Sequence, residues 1–345
     1  MTDHPAPPAP LHHVVEGAPN RPGPAPDPPG PGLAPDPPRP APDPGPAPGP
    51  PPGALHPSGP VPGPPVGEAT STRERVRETI HSPSGRHPER EPAPVHRPGG
   101  GRVVLVHGFT QTLAAWALAT ERLARRWEVV RVDLPGHGGS SDIRVGFEEA
   151  AGLVGEAGGV GVYVGYSLGG RLCLRLALER PDLVRGLVLI GASPGIADPG
   201  QREARRDADE LLARRIERDG VAVFLDAWLA GPLFSSLPVE AAGRHERLAN
   251  TAEGLAYALR RLGTGAQESL WDRLGELRPP VLLVAGELDR KFAGIAGEMA
   301  AAIGPTARVA VVPGAGHAVH LERPDETAAL VEELVAAGLG REAGA

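Results

Sequence analysis

The chain has 345 residues and a net charge of −7 with both signs interspersed, a balance that offers no basic stripe for nucleic acid and no polybasic face for a membrane surface. Cys173 is the only cysteine, which excludes an intramolecular disulfide and fits a reducing compartment. No N-terminal apolar run has the length of a signal peptide or a membrane span, so the expected location is the cytoplasm.

The first 98 residues hold 32 of the 43 prolines and no Phe, Tyr or Trp. Such a segment cannot bury enough apolar surface to offset the entropy of ordering it, and it is expected to be disordered with local polyproline-II character. It is open whether the segment is a floppy extension, a docking segment for a Pro-binding module, or a tail upstream of the true start. Residues 73–80 have the pattern of two helical turns, too short to stand alone. The folded domain is expected over 99–345.

Short, nearly continuous apolar runs follow at 103–106, 129–132, 160–164, 187–190, 281–285 and 309–312. Their length and their Val, Ile, Leu and Ala content predict parallel strands buried on both faces. Helical periodicity lies between most of them, at 113–126, 147–157, 168–179, 292–302 and 325–337. The alternation predicts a mostly parallel sheet with right-handed crossovers and helices on both faces. It breaks once, between Ile190 and Val281, where a helical cap over 196–270 is expected above the carboxyl ends of the strands.

Gly165-Tyr166-Ser167-Leu168-Gly169 joins a predicted strand to a predicted helix. Glycines two residues either side of a serine leave room for a strained turn that lifts the hydroxyl above the sheet, so Ser167 is the candidate nucleophile. A serine needs a base, and His317 lies in the glycine-rich loop after the last strand. The base needs a carboxylate to fix its tautomer; Asp289 follows the preceding strand and is preferred to Glu287, the competing acid. Two backbone N–H donors for a developing oxyanion are expected from Leu168, just after the serine, and from Phe109, in the loop after the first strand. His137, in the loop Asp133–Gly138, is expected to support that loop.

These residues resemble the α/β-hydrolase superfamily over 100–340, and within it the MenH-type 2-succinyl-6-hydroxy-2,4-cyclohexadiene-1-carboxylate (SHCHC) synthases. The likeness rests on His107-Gly108-Phe109, on Gly165–Gly169 followed by Gly170-Arg171, on Gly286-Glu287-Leu288-Asp289-Arg290-Lys291-Phe292 and on Gly314-Ala315-Gly316-His317-Ala318-Val319-His320. In the cap it rests on Arg202 to Arg205, Asp209, Trp228 and Pro232-Leu233-Phe234. The resemblance implies an α/β-hydrolase fold and a lyase, with no cofactor and no metal. Ser167, made basic by His317, would take a proton from a cyclohexene carboxylate as pyruvate leaves. The antiparallel hairpin that opens many members has no clear counterpart before Arg102.

A substrate with several carboxylates needs fixed cations, and Arg matches a carboxylate in bidentate fashion. Arg171, one helical turn after Ser167, is the foremost candidate, with a structural contact to the cap as its alternative. Arg205 is a second, in a chain whose cations are 34 arginines and the single Lys291. Tyr166 and Trp228 are candidate substrate-lining residues, or ordinary core. A carboxylesterase or a carbon–carbon bond hydrolase of a small carboxylate would use the same triad, and a receptor-like member would bind a ligand with little turnover.

Overall fold

Strand β1 (His13–Glu16) lies inside the proline-rich segment and pairs antiparallel with β3, His13 opposite Val132 and Glu16 opposite Val129. The computed structural model describes residues 8–17 and 101–339. The expectation of disorder over 1–98 is therefore corrected for 8–17, which belong to the same compact unit as residues 101–339. Residues 18–98, with the helical pattern at 73–80, lie outside the described residues. Four residues are invisible to a composition averaged over a hundred. What holds them is tertiary: Leu11 is buried in the main core, His12 bonds Asp133 and Ser140, and Glu16 pairs with Arg131.

The other strands are β2 (Arg102–Val106), β3 (Glu128–Val132), β4 (Gly161–Tyr166), β5 (Val184–Ile190), β6 (Val281–Gly286) and β7 (Ala307–Val312). They form one sheet in the order β1-β3-β2-β4-β5-β6-β7, parallel throughout except for β1. The helices are α1 (Ala117–Leu123), α2 (Phe147–Gly158), α3 (Leu168–Glu179), α4 (Pro199–Leu229), α5 (Arg244–Arg247), α6 (Ala252–Leu262), α7 (Arg290–Ile303), α8 (Val319–Glu322) and α9 (Pro324–Leu339). The predicted helix at 113–126 divides into a 3-10 turn at Leu113–Trp116 and the shorter α1.

Both faces of the inner strands are covered, which explains their unbroken apolar runs. On the edge strand β7, however, Val309 and Val311 are exposed, contrary to the expectation of burial on both faces for 309–312. Val104, Val106 and Tyr163 point to the layer of α2, α3 and α7, with Leu153, Leu172 and Met299. Val103, Leu105, Val162 and Val164 point the other way, against Leu123 of α1 and Val331 and Val335 of α9. The insertion between β5 and β6 is helical among its described residues. Its long helix α4 packs on α6 through Ala213, Ile216, Phe224, Leu255 and Leu259, a small core of its own. Gly220, at φ 78°, bends α4, and only glycine takes that conformation cheaply. No helix among the described residues is long and apolar enough to cross a membrane.

Candidate active site

Ser167 sits between the end of β4 and the start of α3 at φ 49°, ψ −107°, one of two non-glycine residues with positive φ among those described. The turn is tight enough that a Cβ on Gly169 would strike the Val106 carbonyl, and one on Gly165 would strike the backbone of Gly169. The sequence supplies glycine where those approaches occur. The Ser167 N–H donates to the Ile190 carbonyl at 2.8 Å, which ties the elbow to β5.

His317 and Asp289 approach from the ends of β7 and β6. The His317 Nδ1–H donates to Asp289 Oδ2 at 2.6 Å, so Nε2 is left as the lone-pair nitrogen. Asp289 also caps α7, its Oδ1 accepting from Phe292 N–H at 3.3 Å; one carboxylate serves both roles. Glu287 turns elsewhere and accepts from Gly314 N–H at 2.9 Å. The His317 ring is buried between Phe292 (centroids 4.6 Å apart) and Tyr166 (5.4 Å). Its Cε1 lies against Gly191, the residue after the Ile190 that holds Ser167.

The loop carrying His317 is clamped by a residue that the sequence reading did not single out. Glu322 is buried, and its two carboxylate oxygens accept from Gly316 N–H at 2.7 Å and Ala318 N–H at 3.1 Å. Those are the amides on either side of His317. A Glu five residues after a loop histidine was the available signal.

In the loop after β2, Gly108 N–H donates to Gln111 Oε1, Thr110 N–H to His137 Nε2, and Gln111 N–H to the Gly108 carbonyl. Phe109 N–H has no protein partner among the described residues, nor has Leu168 N–H at the first position of α3. Two buried histidines brace this loop. His107 donates from Nδ1 to the Gly108 carbonyl and accepts at Nε2 from Leu134 N–H; His137 donates to the Pro135 carbonyl and accepts from Thr110. Burial lowers both pKa values, that of His137 to about 3 with His107 adding to the shift, so both rings stay neutral. Burial works against the Asp133 carboxylate, yet His107 and the Leu113 and Gly139 N–H groups hold its pKa below the usual range. That carboxylate also receives His12, the residue before β1, at 2.8 Å.

Residues 103–330 match the alpha/beta hydrolase family. The chain belongs to that family. Within it, a Bacillus subtilis (strain 168) protein provisionally named 2-succinyl-6-hydroxy-2,4-cyclohexadiene-1-carboxylate synthase is 36% identical over 253 residues, 68% of this chain and 89% of the relative. The synthase of that name from Enterobacter sp. (strain 638) is 32% identical over 251 residues, covering 69% of this chain and 93% of the relative. Among solved alpha/beta hydrolase structures, MenH from S. aureus superposes with a TM-score of 0.65 at 31% identity, covering 69% of this chain and 94% of that one.

Of the candidate cations, Arg171 is buried but already engaged. Its Nη1 donates to Gln267 Oε1 at 2.8 Å and its Nη2 to the Leu262 carbonyl at 2.9 Å, both in the cap, and its guanidinium lies over Phe147. Burial, and next the charge of Arg205, pull its pKa down to about 9. Arg205 is half exposed and donates to the buried Asp209 at 2.8 Å. Trp228 joins Phe109, Phe224 and Phe234 in an aromatic wall, and its buried Nε1–H has no partner among the described residues. Tyr166 is buried, which raises its phenol pKa.

Arg247 of α5 is the cation that the sequence did not reveal, one arginine among 34. It is 2% exposed; Nε donates to the Ala242 carbonyl, Nη1 to Thr110 Oγ1, and Nη2 is buried with no partner among the described residues. It makes no ion pair with a described residue, and its charge acts on Tyr166, His107 and His320. No cluster of three or more His, Cys, Asp or Glu among the described residues is placed to hold a metal ion.

Proposed function

We propose that the chain is an SHCHC synthase-type lyase acting in menaquinone biosynthesis, with Ser167, His317 and Asp289 as a proton-transferring triad. The observation that favours a carboxylate lyase over a plain esterase is the buried Arg247 without an acid partner among the described residues; the 2.6 Å His317–Asp289 bond and the strained Ser167 support the triad, which either enzyme would use. The His317 Nε2 is left to accept the Ser167 proton. The two side chains are not hydrogen-bonded in this structure; such a bond often tightens only in the substrate complex, where the serine oxygen would take a proton from the substrate ring carbon. The electron pair left on carbon forms the new ring double bond as the ring C–O bond to the leaving group breaks. That group departs as the enolate of pyruvate and takes the proton held on His317, and the Phe109 and Leu168 N–H groups stabilise the negative charge that develops on the ring side. Arg247 supports a carboxylate substrate, because a buried guanidinium without an acid partner is costly until an anion meets it. The names carried by relatives that share more than two thirds of the chain point to the same reaction. A cytoplasmic setting goes with this reading, and the unpaired, buried Cys173 is compatible with it.

The test is to incubate purified protein with the cyclohexene carboxylate that such synthases act on and to follow pyruvate. Turnover is expected in the wild type, with losses of roughly 10³-fold or more in Ser167→Ala and in His317→Ala. Release of nitrophenol from small esters, with no pyruvate from the cyclohexene carboxylate, would make the chain a hydrolase instead.

A further inference from the structure

Gln111 is 1% exposed and does two things with one side chain. Its Oε1 accepts from Gly108 N–H at 2.9 Å, and its Nε2 lies 3.1 Å from Nε2 of His320. The Gly108 donor fixes which way the amide faces, since the reverse orientation would set two N–H donors against each other. The Gln111 amide is therefore the donor to His320, whose Nε2 accepts and whose proton sits on Nδ1. That Nδ1 is buried with no partner among the described residues. The His320 ring is held between Trp116 (centroids 4.6 Å apart) and Tyr166 (4.2 Å), and burial keeps it neutral.

The Gly108–Phe109 peptide has a special place in this arrangement. Its carbonyl accepts from Gln111 N–H at 3.1 Å and from His107 Nδ1–H at 2.8 Å. In a trans peptide the N–H points opposite the C=O, so pinning that carbonyl aims the Phe109 N–H. Gln111 thus grips Gly108 at both its N–H and its C=O. His320, three residues beyond His317, holds the Gln111 side chain from the other side. Gln111 and His320 together link the oxyanion loop to α8, just beyond the base, and through the His320 ring to Tyr166, the residue before the nucleophile.

We propose that Gln111, held by His320, is a positioning residue that sets the direction of the Phe109 N–H. The inference rests on the triad and oxyanion reading above and adds the pair that aims one donor. His320 acts only through Gln111, so the loss in Gln111→Leu is the larger and the double variant is no worse than Gln111→Leu alone.

The experiment measures the rate at which a fluorophosphonate probe labels Ser167 in the full chain, alongside Tm. Gln111→Leu keeps the bulk and the main-chain N–H to the Gly108 carbonyl but loses the side-chain bonds to Gly108 N–H and to His320, freeing the Gly108 turn from which the Phe109 N–H projects. His320→Phe keeps the stacked ring and removes the acceptor. Misdirecting one oxyanion donor should slow the covalent step roughly 10- to 100-fold in Gln111→Leu, with probe affinity changed little. The loss in His320→Phe should be smaller, and Ser167→Ala should not label. A folded Gln111→Leu that labels within two-fold of wild type overturns the inference while leaving the triad reading intact. If Gln111→Leu does not fold, an unchanged rate in His320→Phe overturns it equally. A wild-type protein that does not label removes the triad reading, and this inference with it.

Discussion

Replacing Arg171 with methionine separates a cation that meets substrate from one that holds the cap in place. The substitution keeps much of the volume but strips the donors from Gln267 Oε1 and the Leu262 carbonyl, both of which sit at the junction of α3 and the cap. An orphaned buried acceptor costs about 1–3 kcal/mol, so two give about 2–6 kcal/mol, less whatever is recovered by no longer burying a charge. Burial disfavours the Arg171 charge, so part of that cost is recovered on removing it, and the expected net loss is about 2–4 kcal/mol. In a domain of this size each kcal/mol moves Tm by about 2–4 °C, so differential scanning calorimetry should show a fall of roughly 4–15 °C. Because a loosened cap harms any substrate, kcat/KM should drop by similar factors for a charged cyclohexene carboxylate and for a neutral ester, if the ester is cleaved at all. An unchanged Tm, with a loss confined to the charged substrate, would refute this reasoning and return Arg171 to the substrate.

Stability should fall in mild acid: His107, His137 and His320 have folded pKa values depressed below 6.5, so only the unfolded chain takes up their protons as pH drops below that value. Each contributes up to about 1.4 kcal/mol per pH unit below 6.5, lost as pH falls, and a Tm–pH profile flat from pH 7 to 4 would contradict it. Deleting residues 1–17 should lower Tm by roughly 5–15 °C, since it removes β1, the buried Leu11 and the His12 partner of Asp133. Replacing residues 18–100 by about eight Gly/Ser residues should change it little, because Glu16 and Arg102 lie at the same end of β3, about 10 Å apart by strand spacing; the opposite ranking of the two deletions would overturn this account. Glu322→Gln sets an amide N–H against one of the two donors flanking His317, and labelling of Ser167 should slow roughly 10-fold or more; an unchanged rate in the folded variant would remove Glu322 from the site.

Apart from β1, strands, turns and their order along the chain were legible in local pattern alone. Apolar runs of four to six residues marked the strands, most of them buried on both faces, and the glycines around Ser167 marked a turn where main chain passes against main chain. The order of Ser167, Asp289 and His317 along the chain was legible for the same reason, since each follows the end of a strand. What only tertiary structure decided was the partner of each buried polar group. The sequence favoured Asp289 over Glu287, two residues apart in one loop, but it is the fold that turns the first to His317 and the second to Gly314. Arg171 meets Gln267 across 96 residues, and Gln111 meets His320 across 209. Periodicity and turn chemistry act over a few residues and leave a trace in local pattern. Hydrogen-bond satisfaction in the interior is a long-range constraint that leaves none, and so β1 in its proline-rich surroundings, Arg247 among its many like residues and the clamp by Glu322 emerged only when the chain was folded.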